Sequence, residues 1–295
     1  MALLSGLSVL LAFLLDHLGE PPMKFHPVVW MGNYLRAARR LLFKDFFAGL
    51  LGWGVGAVLV LGLAAGVQLA IHQMSPGWQI LLTAVCLKPL MAWSALRKAG
   101  ESVLLAPTLQ EARRELSWHL VSRDTSELSE SEVMGAAMES VAENLSDSLV
   151  APLFWFLIGG LPMVAFYRYC NTADAMWGYR TPELEHFGKV AARVDDLLNL
   201  IPARLTGLLI CAVHQSKQAW NTMNRDALKT PSPNSGYPMA ALAGLIGVRL
   251  SKRDTYDLGA GFRDPEKSDL ALTLKALHRV AWISVVFLSG VSCFL

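Results

Sequence analysis

Residues 46–71 read FFAGLLGWGVGAVLVLGLAAGVQLAI, about 26 residues from Phe46 to Ile71 with no formal charge. At 1.5 Å per residue, a helix of that length crosses the ~30 Å hydrocarbon core of a bilayer and leaves room for tilt. Within it, Gly52 and Gly56, then Gly62 and Gly66, repeat the small-xxx-small spacing that lets helices approach closely. The Gly52-Trp53-Gly54-Val55-Gly56 run is no nucleotide loop. It sits inside an apolar helix without the strand-turn-helix context such a loop needs.

The rest of the chain agrees with a membrane class. Of its 295 residues 53% are hydrophobic and only 17% charged, against about 25% charged in soluble domains, and the mean hydropathy is +0.38. Trp78–Leu96, with Lys88-Pro89 inside it, and His278–Leu295 read as further spans, and Leu3–Leu18 as a short one. Leu149–Tyr169 is apolar but interrupted by Gly159-Gly160-Leu161-Pro162, as in one kinked span or a re-entrant hairpin; the hairpin keeps the basic loops on one side and is the expected form. Leu200–Val213 and Met239–Val248 are shorter than a full crossing. The expected fold is all-α: one polytopic helix bundle over residues 1–295, with re-entrant or interfacial segments and helical loops.

A net charge of +2 without a long basic tract is too small to imply a nucleic-acid partner, and none is expected. Cys86, Cys170, Cys211 and Cys293 are far apart and match neither a zinc site nor a disulfide framework. Ala2–Leu15 lacks the leading positive charge and small-x-small site of a cleaved signal, so a retained first helix is expected. Residues 19–45 carry Lys24, Arg36, Arg39, Arg40 and Lys44, whereas 72–77 carry no Lys or Arg. The positive-inside rule places the former, and the basic loop 97–148, in the cytoplasm.

Four constellations bear on chemistry. Glu139, Glu143 and Asp147 fall four residues apart, so a helix would align like charges, at a cost of about 0.2–0.5 kcal/mol per pair. They also run into the apolar Leu149 segment, where carboxylates are expensive. A divalent cation would offset the repulsion, and hard oxygen ligands suit magnesium; the alternative is a solvated helix face. Asn171 and Asp174 precede Gly178-Tyr179-Arg180, whose guanidinium fork suits phosphate or carboxylate; the alternative is an interfacial turn. Arg193, Asp195, Asp196, Asn199 and Arg204 form the third group, with an ordinary helix start as its alternative. Ser232-Pro233-Asn234-Ser235-Gly236 is the fourth, a rigid turn ahead of an apolar stretch, most simply a plain turn. His26, His119, His186, His214 and His278 show no metal-ligand spacing, and neither a Walker A loop nor a Gly-x-Ser-x-Gly elbow occurs.

In order along the chain, these motifs resemble the CobD/CbiB family of adenosylcobinamide-phosphate synthases. The resemblance is carried by Leu15-Asp16, Gly19-Glu20-Pro21-Pro22, His26-Pro27-Val28, Arg123-Asp124-Thr125, Glu139 to Asn144, Asp147 and Ala151-Pro152-Leu153-Phe154. It continues through Asn171-Thr172, Asp174, Gly178-Tyr179-Arg180, Phe187-Gly188, Ala192-Arg193, Asp195-Asp196, Ile201 to Thr206 and Ser232 to Gly236. Glu20 stands where the family commonly has Asp, and Met239 where many members have Glu.

The resemblance implies a cytoplasmic-membrane (inner-membrane) ligase with cytoplasmic active-site loops. It would use ATP and Mg2+ to join adenosylcobyric acid to aminopropanol or its phosphate. Its partners would be the corrinoid, the amino alcohol, the bilayer and other cobalamin-assembly enzymes. Catalytic positions would be Glu139, Glu143, Asp195 and Asp196, and metal ligands Glu139, Glu143, Asp147 and Asp174. Arg123, Asn144, Asn171, Arg180, Arg193, Arg204, Ser232 and Asn234 would bind substrate or phosphate. Two other classes stay open: a magnesium-dependent prenyl- or phosphatidyl-type transferase, and a non-catalytic membrane sensor or transport component.

Overall fold

The computed structural model describes residues 2–179 and 181–291. In chain order the helices are α1 (Ala2–Asp16), α2 (Pro27–Leu41), α3 (Phe46–His72), α4 (Pro76–Leu87), α5 (Trp93–Leu105), α6 (Leu109–His119) and α7 (Glu130–Leu145). They continue with α8 (Ala151–Trp177), α9 (Lys189–Val213), α10 (Lys217–Asp226), α11 (Gly236–Ile246) and α12 (Lys267–Val291). A short antiparallel hairpin, β1 (Leu250–Lys252) and β2 (Tyr256–Leu258), interrupts them. The fold is the expected all-α membrane bundle. Among the described residues, five helical segments are long and apolar enough to cross a bilayer: Phe46–His72, Pro76–Leu105, Glu130–Trp177, Lys189–Val213 and Lys267–Val291. The protein is therefore an integral membrane protein.

Two spans are longer than their apolar cores. The segment at Leu200–Val213 begins at Lys189 and the one at His278 begins at Lys267, because polar first turns continue the helix without contributing hydropathy. The Trp78–Leu96 span is not one straight helix. After α4, Lys88–Leu90 tightens into a 3-10 turn, Met91 is extended, and α5 starts at Trp93. Pro89 is the cause, since its ring removes a backbone donor and clashes with the preceding turn.

The chain divides into two compact units. The first lies within Met1–Ala92, Ala151–Asn199 and Val285–Leu295. Here α3 runs antiparallel to residues 161–177 of α8. Gly52 faces the Trp177 ring, the Tyr169 hydroxyl donates to the Trp53 carbonyl at 2.9 Å, and Leu161 N–H donates to Gln68 Oε1 at 2.7 Å. A Cβ on Gly56 would overlap both Tyr169 and Tyr34, so that glycine is required for the approach. Among the described residues Gly62 and Gly66 meet nothing within 4 Å, whereas the first glycine pair packs helices together.

The expected interruption of α8 is present. Gly159 (φ −148°, ψ 22°) and Gly160 (φ 65°, ψ −151°) leave the helix, and Gly160 occupies a conformation open to residues without a Cβ. On either side of the break, Trp155 donates to the Leu198 carbonyl and Tyr167 to Asn199 Oδ1. Residues twelve apart in sequence thus reach adjacent residues of α9 from the two sides of the break.

The second unit lies within Trp93–Val150 and Leu200–Ser284. Its centre is α7, which packs against α5, α6, α11 and β1. Ser129 and Glu132 close a reciprocal capping box at its start, as Ser129-x-x-Glu132 in the sequence implies. Its far end widens into a π-helical turn, Ser146–Val150.

Candidate functional site

Glu139 lies on the buried face of α7 and is only 5% exposed. Its Oε1 has no hydrogen-bond partner, while Tyr256 hydrogen-bonds the carboxylate and Arg123 and Lys252 act on it electrostatically. An unsatisfied buried polar atom costs about 1–3 kcal/mol, more when charged, which makes this oxygen a candidate for holding a ligand. Burial holds the Tyr256 hydroxyl well above the usual phenol range, and the neighbouring Glu139 carboxylate pushes the same way. Tyr256 therefore remains a donor.

The sequence does not single out Lys252 and Tyr256. The signal was present as a period-two pattern, Leu250-Ser-Lys252 and Tyr256-Asp-Leu258 around a polar turn. Register pairs Lys252 with Tyr256 and Leu250 with Leu258, which puts all four on one face of the hairpin.

The loop before α7 is fixed by its own polar contacts. Asp124 Oδ1 accepts from Ser126 N–H, which holds its carboxyl below the usual range. The Thr125 hydroxyl donates to the Arg113 carbonyl at 2.9 Å, and Arg113 donates to the Leu128 carbonyl. Arg123 is thus anchored through its chain neighbours, and it lines a cavity of about 200 Å³ bounded also by Glu132, Ser251 and Arg253.

Glu143 and Asn144 sit half-buried one turn after Glu139, with Asn144 donating to the Ser140 carbonyl. Asp147 follows half-buried at the second position of the π-helical turn Ser146–Val150. Such turns recur at functional sites. In the same unit Arg204 stacks on Tyr237 at 4.3 Å and reaches Asn234 Oδ1 at 3.4 Å. Ser232 Oγ accepts from the Asn234 and Ser235 N–H groups, forming the turn that the sequence implies.

The remaining candidates belong to the first unit. Asp195 accepts from Asn171 Nδ2 at 3.3 Å and from Asn199 Nδ2 at 3.0 Å. Tyr167 holds Asn199 in turn. Asp174 and Asp196 are close enough to act on each other electrostatically. Arg193 is exposed and makes no hydrogen bond or ion pair among the described residues. Arg180 lies outside the described residues, as does Cys293. Among the described residues, no group of three or more His, Cys, Asp or Glu side chains converges on a metal position.

Comparison with known proteins adds the family. The family model described as CobD/Cbib protein matches residues 9–283. A "Probable cobalamin biosynthesis protein CobD" from Methanothermobacter thermautotrophicus is 41% identical over 265 residues, covering 85% of this chain and 86% of the relative. "Cobalamin biosynthesis protein CobD" from Geobacter metallireducens is 40% identical, covering 99% of this chain and 94% of its own. The protein of that name from Rhodobacter capsulatus is 40% identical, with 90% and 88% covered. No solved structure matches.

Proposed function

The chain belongs to the CobD/Cbib family of cobalamin biosynthesis proteins, and from that membership we propose that it is an ATP-dependent amide ligase. Adenosylcobyric acid would supply the carboxylate and aminopropanol or its phosphate the amine, giving adenosylcobinamide or its phosphate. The structural observation that supports this most directly is Glu139, a carboxylate nine-tenths buried with one oxygen unpartnered.

A carboxylate is a poor acyl donor. One of its oxygens attacks the γ-phosphorus of ATP, ADP departs, and the amine nitrogen then displaces phosphate from the acyl carbon while giving up a proton. Little covalent chemistry falls to the protein, so positioning and charge stabilisation dominate. Arg123 and Arg204 would take anionic groups, Arg204 with its plane fixed by Tyr237. Arg180 and Arg193 are further candidates for the same task. Asn144, Asn171, Ser232 and Asn234 would orient substrate polar groups. Asp195 already accepts two amides and would hold Asn171 and Asn199 in place. Asp196, half-buried and facing Asp174, would accept the proton from the amine.

Magnesium takes one or two carboxylates and completes its shell with water and substrate phosphates, so the partnerless Glu139 oxygen fits it without a three-residue cluster. Glu139 and Glu143 would hold it, and bound magnesium would neutralise nucleotide phosphate charge.

The test is product formation by purified protein from adenosylcobyric acid, aminopropanol phosphate and ATP. Glu143→Ala should abolish product while leaving membrane insertion intact; full activity in that variant would remove the site assignment. In a deletion strain, cobinamide but not cobyric acid should restore growth. Release of pyrophosphate with transfer of a prenyl group to a lipid acceptor would instead identify a transferase.

A further inference from the structure

We propose that the β1–β2 hairpin is a wall of the substrate site, on which Lys252 and Arg123 grip a substrate phosphate and Tyr256 positions Glu139 beside it. The hairpin is held against one face of α7 by successive contacts. Arg253 pairs with both oxygens of Glu132, Leu250 lies against Gly135, and Tyr256 reaches Glu139. Residues 132, 135 and 139 share a helix face, so the hairpin lies along α7 rather than touching it at a point.

Lys252 is the anomaly on that hairpin. Register places it on the same face as Leu250 and Leu258, both fully buried, and directly opposite Tyr256. A lysine needed only for solubility would occupy the other face, as Asp257 does in its two-point pairing with Arg249.

The surrounding cations are committed. Arg253 is bound to Glu132, Arg263 to Asp269, and Arg225 and Lys229 to Asp226. The Lys252 and Arg123 side chains make no hydrogen bond or ion pair among the described residues, although both act on Glu139. Two uncommitted cations, one a planar fork and one a point charge, beside a buried carboxylate with a partnerless oxygen match a phosphate group. The phosphate can carry a bound cation or proton, which keeps it from repelling Glu139. The ligase reading enters only through the choice of phosphorylated ligand, a nucleotide or a phosphorylated amino alcohol.

The experiment is calorimetric titration of the full-length protein in lipid nanodiscs with ATP, with aminopropanol phosphate, and with unphosphorylated aminopropanol. Lys252→Met and Arg123→Met, which keep the apolar stems, should each weaken a phosphorylated probe by about tenfold or more. Lys252→Arg should restore affinity to within about threefold, and the unphosphorylated amine should be unaffected. Which phosphorylated probe is weakened identifies the source of the phosphate. Tyr256→Phe should lower kcat by about tenfold with KM for that substrate held within about twofold, as expected of a positioning residue. Unchanged affinity of Lys252→Met for both phosphorylated probes, or binding of neither by the wild type, overturns the subsite. If the wild type binds through Lys252 but forms no amide, the ligase reading falls and the subsite stands. Amide formation with Lys252-independent binding has the opposite meaning.

Discussion

Asp226 shows how a single residue can anchor distant chain. It is fully buried, yet Arg225 grips both of its oxygens at 2.9 and 2.8 Å, Lys229 approaches at 2.6 Å, and Gly259 N–H donates to it at 2.7 Å. Burial pushes its pKa up, but those donors outweigh burial and hold the carboxyl well below the usual carboxylate range. A depressed folded-state value means that its stabilisation is complete above the unfolded value of roughly 4 and is lost as pH falls through the folded value. Asp226→Ala should cost about 2 kcal/mol, less than the 3–5 of a fully buried pair, because Arg225 and Lys229 are themselves 53% and 43% exposed. Thermal unfolding in detergent checks both points. The difference between wild type and variant should be constant from about pH 5 to 7 and shrink below about pH 4. Nothing in the sequence marks Asp226, since its Gly259 partner lies 33 residues away.

At the scale of elements, the break in α8 was legible and its anchor was not. Gly159-Gly160 is a helix-breaking pair in any context, but the glutamine that seals the break comes from α3. A Cβ on Gly160 would stand 2.2 Å from Gln68 Oε1, in a conformation that L residues rarely adopt. Gly160→Ala should therefore destabilise by about 1–3 kcal/mol. Gln68→Ala in that background should recover only the steric part, because the positive φ remains. Melting midpoints of the two single variants and the double variant decide it; an additive result would deny the contact.

The capping box of α7 shows the opposite balance. Ser129 and Glu132 are local partners three residues apart, and both expected hydrogen bonds are present. Beyond Leu145 the regular helix gives way to a π-helical turn, which has no local signature in the sequence.

For the whole molecule, charge asymmetry gives an orientation that labelling can check. Residues 19–45 carry five Lys or Arg and 72–77 none, and α3 separates them. In intact cells, Ser75→Cys should react with a membrane-impermeant maleimide and Lys44→Cys only after permeabilisation. The reverse pattern would invert the topology.

Composition and hydropathy alone determined the membrane class and the apolar core of each span, because transfer into hydrocarbon is a property of residue types summed over a short window. Helix caps and breaks were equally local. Only the tertiary structure decided which oxygens are buried and which cations stay uncommitted. Glu139 meets residues more than a hundred positions away, and a contact of that range depends on how α7 and the hairpin pack, which no window of sequence contains.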